Sequence, residues 1–109
     1  MQVIILPNVL QYFEDLVTIL YEKEYFGFES TALEYVVELY DDIITTLPVR
    51  TKKPAPNYFN KYGKTLYYAV FSKNKHTQWY VFFRIYRKDE ELYYQVRYIA
   101  NNHTIAHHL

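Results

Sequence analysis

Three of the chain's four histidines, His103, His107 and His108, fall in its closing stretch "HTIAHHL". Imidazole titrates near neutral pH, so such a tail could supply a general acid or base. His103 and His107 also have the i, i+4 spacing by which two imidazoles on one helix face hold a metal. A zinc site needs a third ligand, and no acid stands near them in sequence, so no metal is expected there. Cations and aromatics interleave upstream. Lys52, Lys53, Lys61 and Lys64 lie within residues 49–65, while Arg84 and Arg97 sit in alternating segments that also carry Tyr80 and Tyr86. The planar fork of arginine clamps phosphate. Tyrosine rings stack on unpaired bases. Cleavage of RNA through its own 2′-hydroxyl calls for a base, a cation facing the phosphorane, and an acid for the leaving oxygen. Arg84 and Arg97 are candidates for the clamp, and His103 or His107 for proton transfer. The competing readings are ordinary ones. Exposed arginines keep a strand soluble, and tyrosines form cross-strand pairs or line a groove that a partner fills.

Composition bounds these readings. A chain of 109 residues makes one domain, residues 1–109, able to bury a real though modest core. It has no cysteine, hence no disulfide framework and no thiolate metal site. No Gly-rich phosphate loop, serine nucleophile elbow or zinc motif occurs, and no cofactor is expected. The N-terminus lacks the charged region and cleavage site of a signal peptide. No apolar run approaches the roughly 20 residues needed to span a bilayer. The expectation is a soluble cytoplasmic protein. Net charge is zero, but residues 1–48 hold nine acids and one base, against eleven bases and three acids in residues 49–109. One basic side suits a phosphate-bearing partner; attraction between the two halves explains it as well.

The elements that must position these groups follow from periodicity. "VIIL" at 3–6 reads as a strand buried on both faces, ended by Pro7. Asn8 with Gln11 has capping-box spacing, and Leu10, Phe13, Val17 and Leu20 then recur at helical intervals, flanked by Leu16 and Tyr21. Gly27 stops that helix. Ser30 or Thr31, the latter with Glu34, caps a second one with the stripe Leu33, Val36/Val37, Tyr40, Ile43/Ile44 and Leu47, ended by Pro48. The two make an αα-hairpin. Residues 49–65 read as a loop or partly extended connector. Segments 66–71, 78–88 and 91–100 read as an antiparallel meander. In the last strand Leu92, Tyr94, Val96 and Tyr98 share one face, and Tyr93, Gln95, Arg97 and Ile99 the other. If Asp89-Glu90 is a two-residue turn, Lys88 faces Glu91, Arg84 faces Gln95, and Phe82 faces Arg97. The fold class is α+β, in the order β-α-α-β-β-β.

That order, the size, and the segments "WYVFFRIY" (79–86) and "VRYIANNHTIAHHL" (96–109) resemble the RelE/ParE superfamily of toxin–antitoxin toxins. The likeness covers nearly the whole chain and rests on motifs of low specificity. It implies a helix hairpin over an antiparallel sheet, and a cognate antitoxin as partner. RelE-like members cut ribosome-bound mRNA; ParE-like members share the fold and poison DNA gyrase without being nucleases. By that resemblance Lys52 and Lys53 fall where RelE-like toxins keep catalytic lysines, and Arg84 matches the sheet arginine. His103, His107 and His108 occupy the working C-terminal end. Asn102 and His108 stand where such toxins usually carry an arginine and a terminal tyrosine.

Overall fold

The computed structural model describes residues 1–22, 29–73, 76–105 and 108–109. Among these the chain forms β1 (Gln2–Ile5), α1 (Pro7–Glu22), α2 (Glu29–Thr46), β2 (Lys53–Pro54), β3 (Tyr67–Ser72), β4 (Gln78–Lys88), β5 (Glu91–Asn101) and α3 (Asn102–Ile105). Short 3-10 segments cover Leu47–Val49 and Asn57–Tyr62. The class is α+β, with a mixed five-stranded sheet in the order β1-β5-β4-β3-β2. β3, β4 and β5 pair antiparallel, and β1 joins β5 in parallel.

Both helix starts differ from the expected caps. α1 begins at Pro7, one residue before Asn8, because proline's fixed φ suits the first helical position and its missing N–H costs nothing there. The Leu6 carbonyl accepts from the Val9 and Leu10 amides instead. Asn8 Nδ2 donates to the Arg97 carbonyl, and Gln11 donates to Asp15, so no capping box forms. α2 is already helical at Glu29, which places Ser30 and Thr31 inside it. Gly27 and the connection around it lie outside the described residues. The stripes are met in part: Phe13, Leu16, Val36, Ile43 and Leu47 are buried as their spacing predicts. Val9, Phe13 and Leu16 of α1, and Ala32, Val36, Leu39 and Ile43 of α2, are buried, whereas Leu10, Leu33 and Val37 are exposed. Buried faces pack on the sheet through Phe71, Trp79, Val81, Phe83 and Val96. Trp79 is nearly sealed there, its Nε1 donating to the Tyr35 hydroxyl at 2.9 Å.

Asp89 and Glu90 both have positive φ (51° and 66°), as a two-residue hairpin turn of the favoured twist requires. The expected pairs Lys88–Glu91 and Arg84–Gln95 follow. A non-glycine residue pays for that conformation. Glu90→Gly is therefore expected to raise stability by about 1 kcal/mol, read as a higher urea midpoint with an unchanged slope.

Further along, the ladder slips. Phe83 pairs with Val96, but Phe82 pairs with Tyr98, leaving Arg97 as the extra residue of a bulge. The expected Phe82–Arg97 pair is not made. Beyond the bulge the faces exchange: Ile99 packs with the helix-side core, and Tyr98 turns to the opposite face.

That opposite face is covered too. The connector expected as a loop supplies the edge strand β2, where Pro54 is tolerated because it lies outermost. It also supplies the 3-10 helix of Asn57–Tyr62, whose Phe59 is fully buried. Phe59 stacks on Phe82 at 4.3 Å between centroids. With Leu66, Ala100 and Ile105 they form a second core on which Tyr62, Tyr68, Tyr80 and Tyr98 pack. The tail end of the sheet is thus sandwiched between the helix pair and a cover made of connector and tail, while Arg84 farther along the same face is exposed.

Candidate functional site

The tail is held by its two asparagines. Asn101 caps α3: its Oδ1 accepts from the His103 amide at 2.9 Å, and its carbonyl accepts from Thr104. Asn102 Oδ1 accepts from the Gln78 amide at 2.9 Å, and its Nδ2 donates to the His76 carbonyl. Both tie the chain end to the start of β4, and Ile105 anchors it in the second core. His103 is left exposed on α3. His108 lies flat on Tyr58, with centroids 3.6 Å apart and planes within 5°. His107 lies outside the described residues.

The connector brings Lys61 to the same place. Its ammonium sits 4.1 Å over the Tyr58 ring and 5.5 Å from that of Tyr62. Tyr62 in turn stacks on Tyr98 at 3.8 Å. Behind this pair is a cleft of about 390 Å³ between the first turn of α1, the end of β5 and α3. Asn8, Tyr12, Tyr62, Tyr98 and Thr104 line it, over a floor of Val9, Ile99 and Ala100. Burial pushes the Tyr98 phenol well above its ordinary 10.0, helped by a hydrogen bond with Tyr62 and by the nearby Tyr62, Tyr12 and Tyr58 phenols. Burial also raises Tyr12.

These shifts give a pH dependence. The folded state keeps phenol protons that the unfolded chain surrenders near pH 10. Their contribution is whole below that pH and is lost as pH rises from it through the raised folded values. Urea midpoints measured from about pH 8 to pH 11 are expected to fall at the alkaline end. They should fall less steeply in Tyr98→Phe, and an equal slope in both proteins would contradict the assignment.

The remaining sequence candidates lie elsewhere. Arg84 is exposed on the same face of the sheet as Tyr98, but five rungs along β4 from Trp79, which faces Asn101 at the tail. At strand rise that is roughly 17 Å. Its guanidinium leans 5.0 Å over the Tyr86 ring, in the direction away from the tail. Arg84 and His103 therefore do not meet on one phosphate. Tyr86 stacks on Tyr93 at 5.2 Å, making a small half-buried platform beside the exposed Arg84. Arg97, the bulged residue, donates from Nε to the Tyr62 carbonyl at 2.6 Å and from a terminal nitrogen to Gln95. It clasps the connector to the sheet. Lys53 is exposed on edge strand β2 and Lys52 lies 5.5 Å over Tyr67. Lys64 is exposed in the turn before β3. Tyr80 is half-buried in the second core, its hydroxyl donating to Gln78. A shallow cleft of about 240 Å³ beside Lys53 is bounded by Arg50, whose donors are taken by Asp42, Thr46 and the Val70 carbonyl.

Of the lysines and histidines singled out in the sequence, the fold brings Lys61 and His108 together on the Tyr58 ring, with His103 exposed on α3. Tyr12, Tyr58, Tyr62, Tyr98 and the two asparagines were missed as site-forming residues. Only the asparagines carried a sequence cue, as a capping pair between a strand and a short helix. Among the described residues no group of three His, Cys, Asp or Glu side chains could hold a metal ion, and no helix is long and apolar enough to cross a membrane. Comparison with protein-family models, with curated proteins and with solved structures finds no match.

Proposed function

We propose that this chain is the toxin of a RelE/ParE-like toxin–antitoxin pair that acts in the cytoplasm on ribosome-bound mRNA, its working end being the tail cleft. The observation that carries the reading is the meeting of the Lys61 ammonium and the His108 imidazole on the Tyr58 ring, beside the tyrosines of the tail cleft, with His103 exposed on the short helix next to Thr104, which lines that cleft. A cation there would face the phosphorane, and His103 would move a proton. The order of strand, helix pair and antiparallel meander supports the family part of the reading. The partner would be a short acidic antitoxin, drawn to the basic half of the chain.

Induction in a bacterial host should stop translation and leave cut mRNA, mapped by primer extension. Combined Lys61→Ala and His103→Ala should reduce cutting by at least about 100-fold. Full toxicity of that double variant would overturn the assignment, and an SOS response with cleaved DNA would point to a ParE-like gyrase poison. The separation of Arg84 from the tail, and the use of Arg97 as a clasp, favour a second reading in which the domain only binds its partner. In that case induction has no effect on growth, and the platform of Arg84, Tyr86 and Tyr93 is the place where the partner rests.

A further inference from the structure

We propose that the cleft among Asn8, Tyr12, Tyr62, Tyr98 and Thr104 holds a single ribonucleoside unstacked from an RNA strand, a role that rests on the RNA reading above. The cleft's size falls within the range of small-ligand sites, and its apolar floor with convergent polar groups has their usual chemistry. Every polar group lining it is a hydroxyl or an amide, and none is charged. Such a lining suits a neutral occupant rich in hydrogen-bonding groups, and disfavours a phosphate inside. The Tyr12 and Tyr98 phenols, already protonated at physiological pH at their ordinary value of 10.0 and raised further by burial, are donors there.

The charge sits next door. Lys61 reaches 5.5 Å from the ring of Tyr62, one of the lining residues. A nucleoside in the cleft would therefore leave its phosphate beside that ammonium. Hydroxyls and an amide around the sugar can donate to and accept from a 2′-hydroxyl, the group by which a protein tells RNA from DNA.

The test uses the full-length chain, with amide and methyl NMR shifts followed during titration. The probes are uridine, adenosine, their 2′-deoxy forms and their monophosphates. A ribonucleoside is expected to perturb Val9, Ala100 and Thr104, and the 2′-deoxy form to bind roughly fivefold more weakly. Tyr98→Phe and Tyr12→Phe keep their rings, so the fold is retained, and each should weaken ribonucleoside binding by roughly fivefold. Lys61→Gln should abolish the advantage of the monophosphate over the nucleoside. Unchanged affinity in both phenylalanine variants, no ribonucleoside binding at all, or perturbation confined to the Tyr86–Tyr93 platform would each overturn the proposal. The two readings fail separately. RNA cutting that survives both phenylalanine variants removes the cleft and leaves the toxin. Ribonucleoside binding with no cut mRNA in the host supports the cleft and removes the toxin.

Discussion

Phe59→Ala is expected to destabilise the domain by roughly 3–5 kcal/mol, the range for truncating a buried aromatic ring. Phe59 is fully buried. Its ring stacks on Phe82, meets Tyr58 edge-on at 4.9 Å, and lies 6.5 Å from Tyr98. The 3-10 segment that carries it is six residues long, too short to hold its shape alone. With the ring gone, the connector loses its anchor and Phe82, Tyr68 and Tyr98 face water. Urea unfolding followed by the fluorescence of Trp79 gives the loss directly, since Trp79 lies in the other core and reports on the domain as a whole. A loss under about 1 kcal/mol would mean that the site can collapse around the deletion. It would also show that the cover contributes little to stability. The same variant should lose ribonucleoside binding, because Tyr62 rides on the segment that Phe59 anchors.

Gly63→Ala is the second large effect, at about 2–3 kcal/mol. Gly63 has φ +149°, which an L side chain rarely adopts. A Cβ there would stand 2.8 Å from Arg97 Nε and 3.1 Å from its Cδ. The Arg97 Nε is the atom that donates to the Tyr62 carbonyl, so the side chain cannot retreat without giving up the clasp. Arg97→Ala alone should cost about 1.5–3 kcal/mol, the value of hydrogen bonds made by a charged donor. In the Arg97→Ala background Gly63→Ala should then cost distinctly less, leaving mainly its backbone strain. Strict additivity in that double-mutant cycle would show that glycine is required for conformation alone.

Legibility in the sequence followed the range of the interactions. Alternation marked β3, β4 and β5 nearly to the residue, and the turn at Asp89-Glu90 set the register of the hairpin's outer half. Both effects are local, acting between neighbours in sequence. The helices were legible as helices and Phe13, Val36, Ile43 and Leu47 were placed on their buried faces, but the edges of those faces were not. Leu33 and Val37 fit the periodicity as well as Ala32 and Leu39, and only packing on the sheet chose between them. The two-residue β2 is too short to show a period at all.

The candidate site divides along the same line. Residue types by themselves determined that this chain carries cations among aromatics, a histidine-rich end and far more tyrosine than a core requires. The tertiary structure decided which of them meet. One extra residue in β5 turned Tyr98 away from the helices and towards Tyr62, and the same bulge spent Arg97 on holding the connector. A bulge depends on what packs against both faces of a strand, and here one face is covered by a segment more than thirty residues distant, from Tyr62 to Arg97. No window of sequence contains that pairing, so the cleft exists only once the chain has folded back on itself.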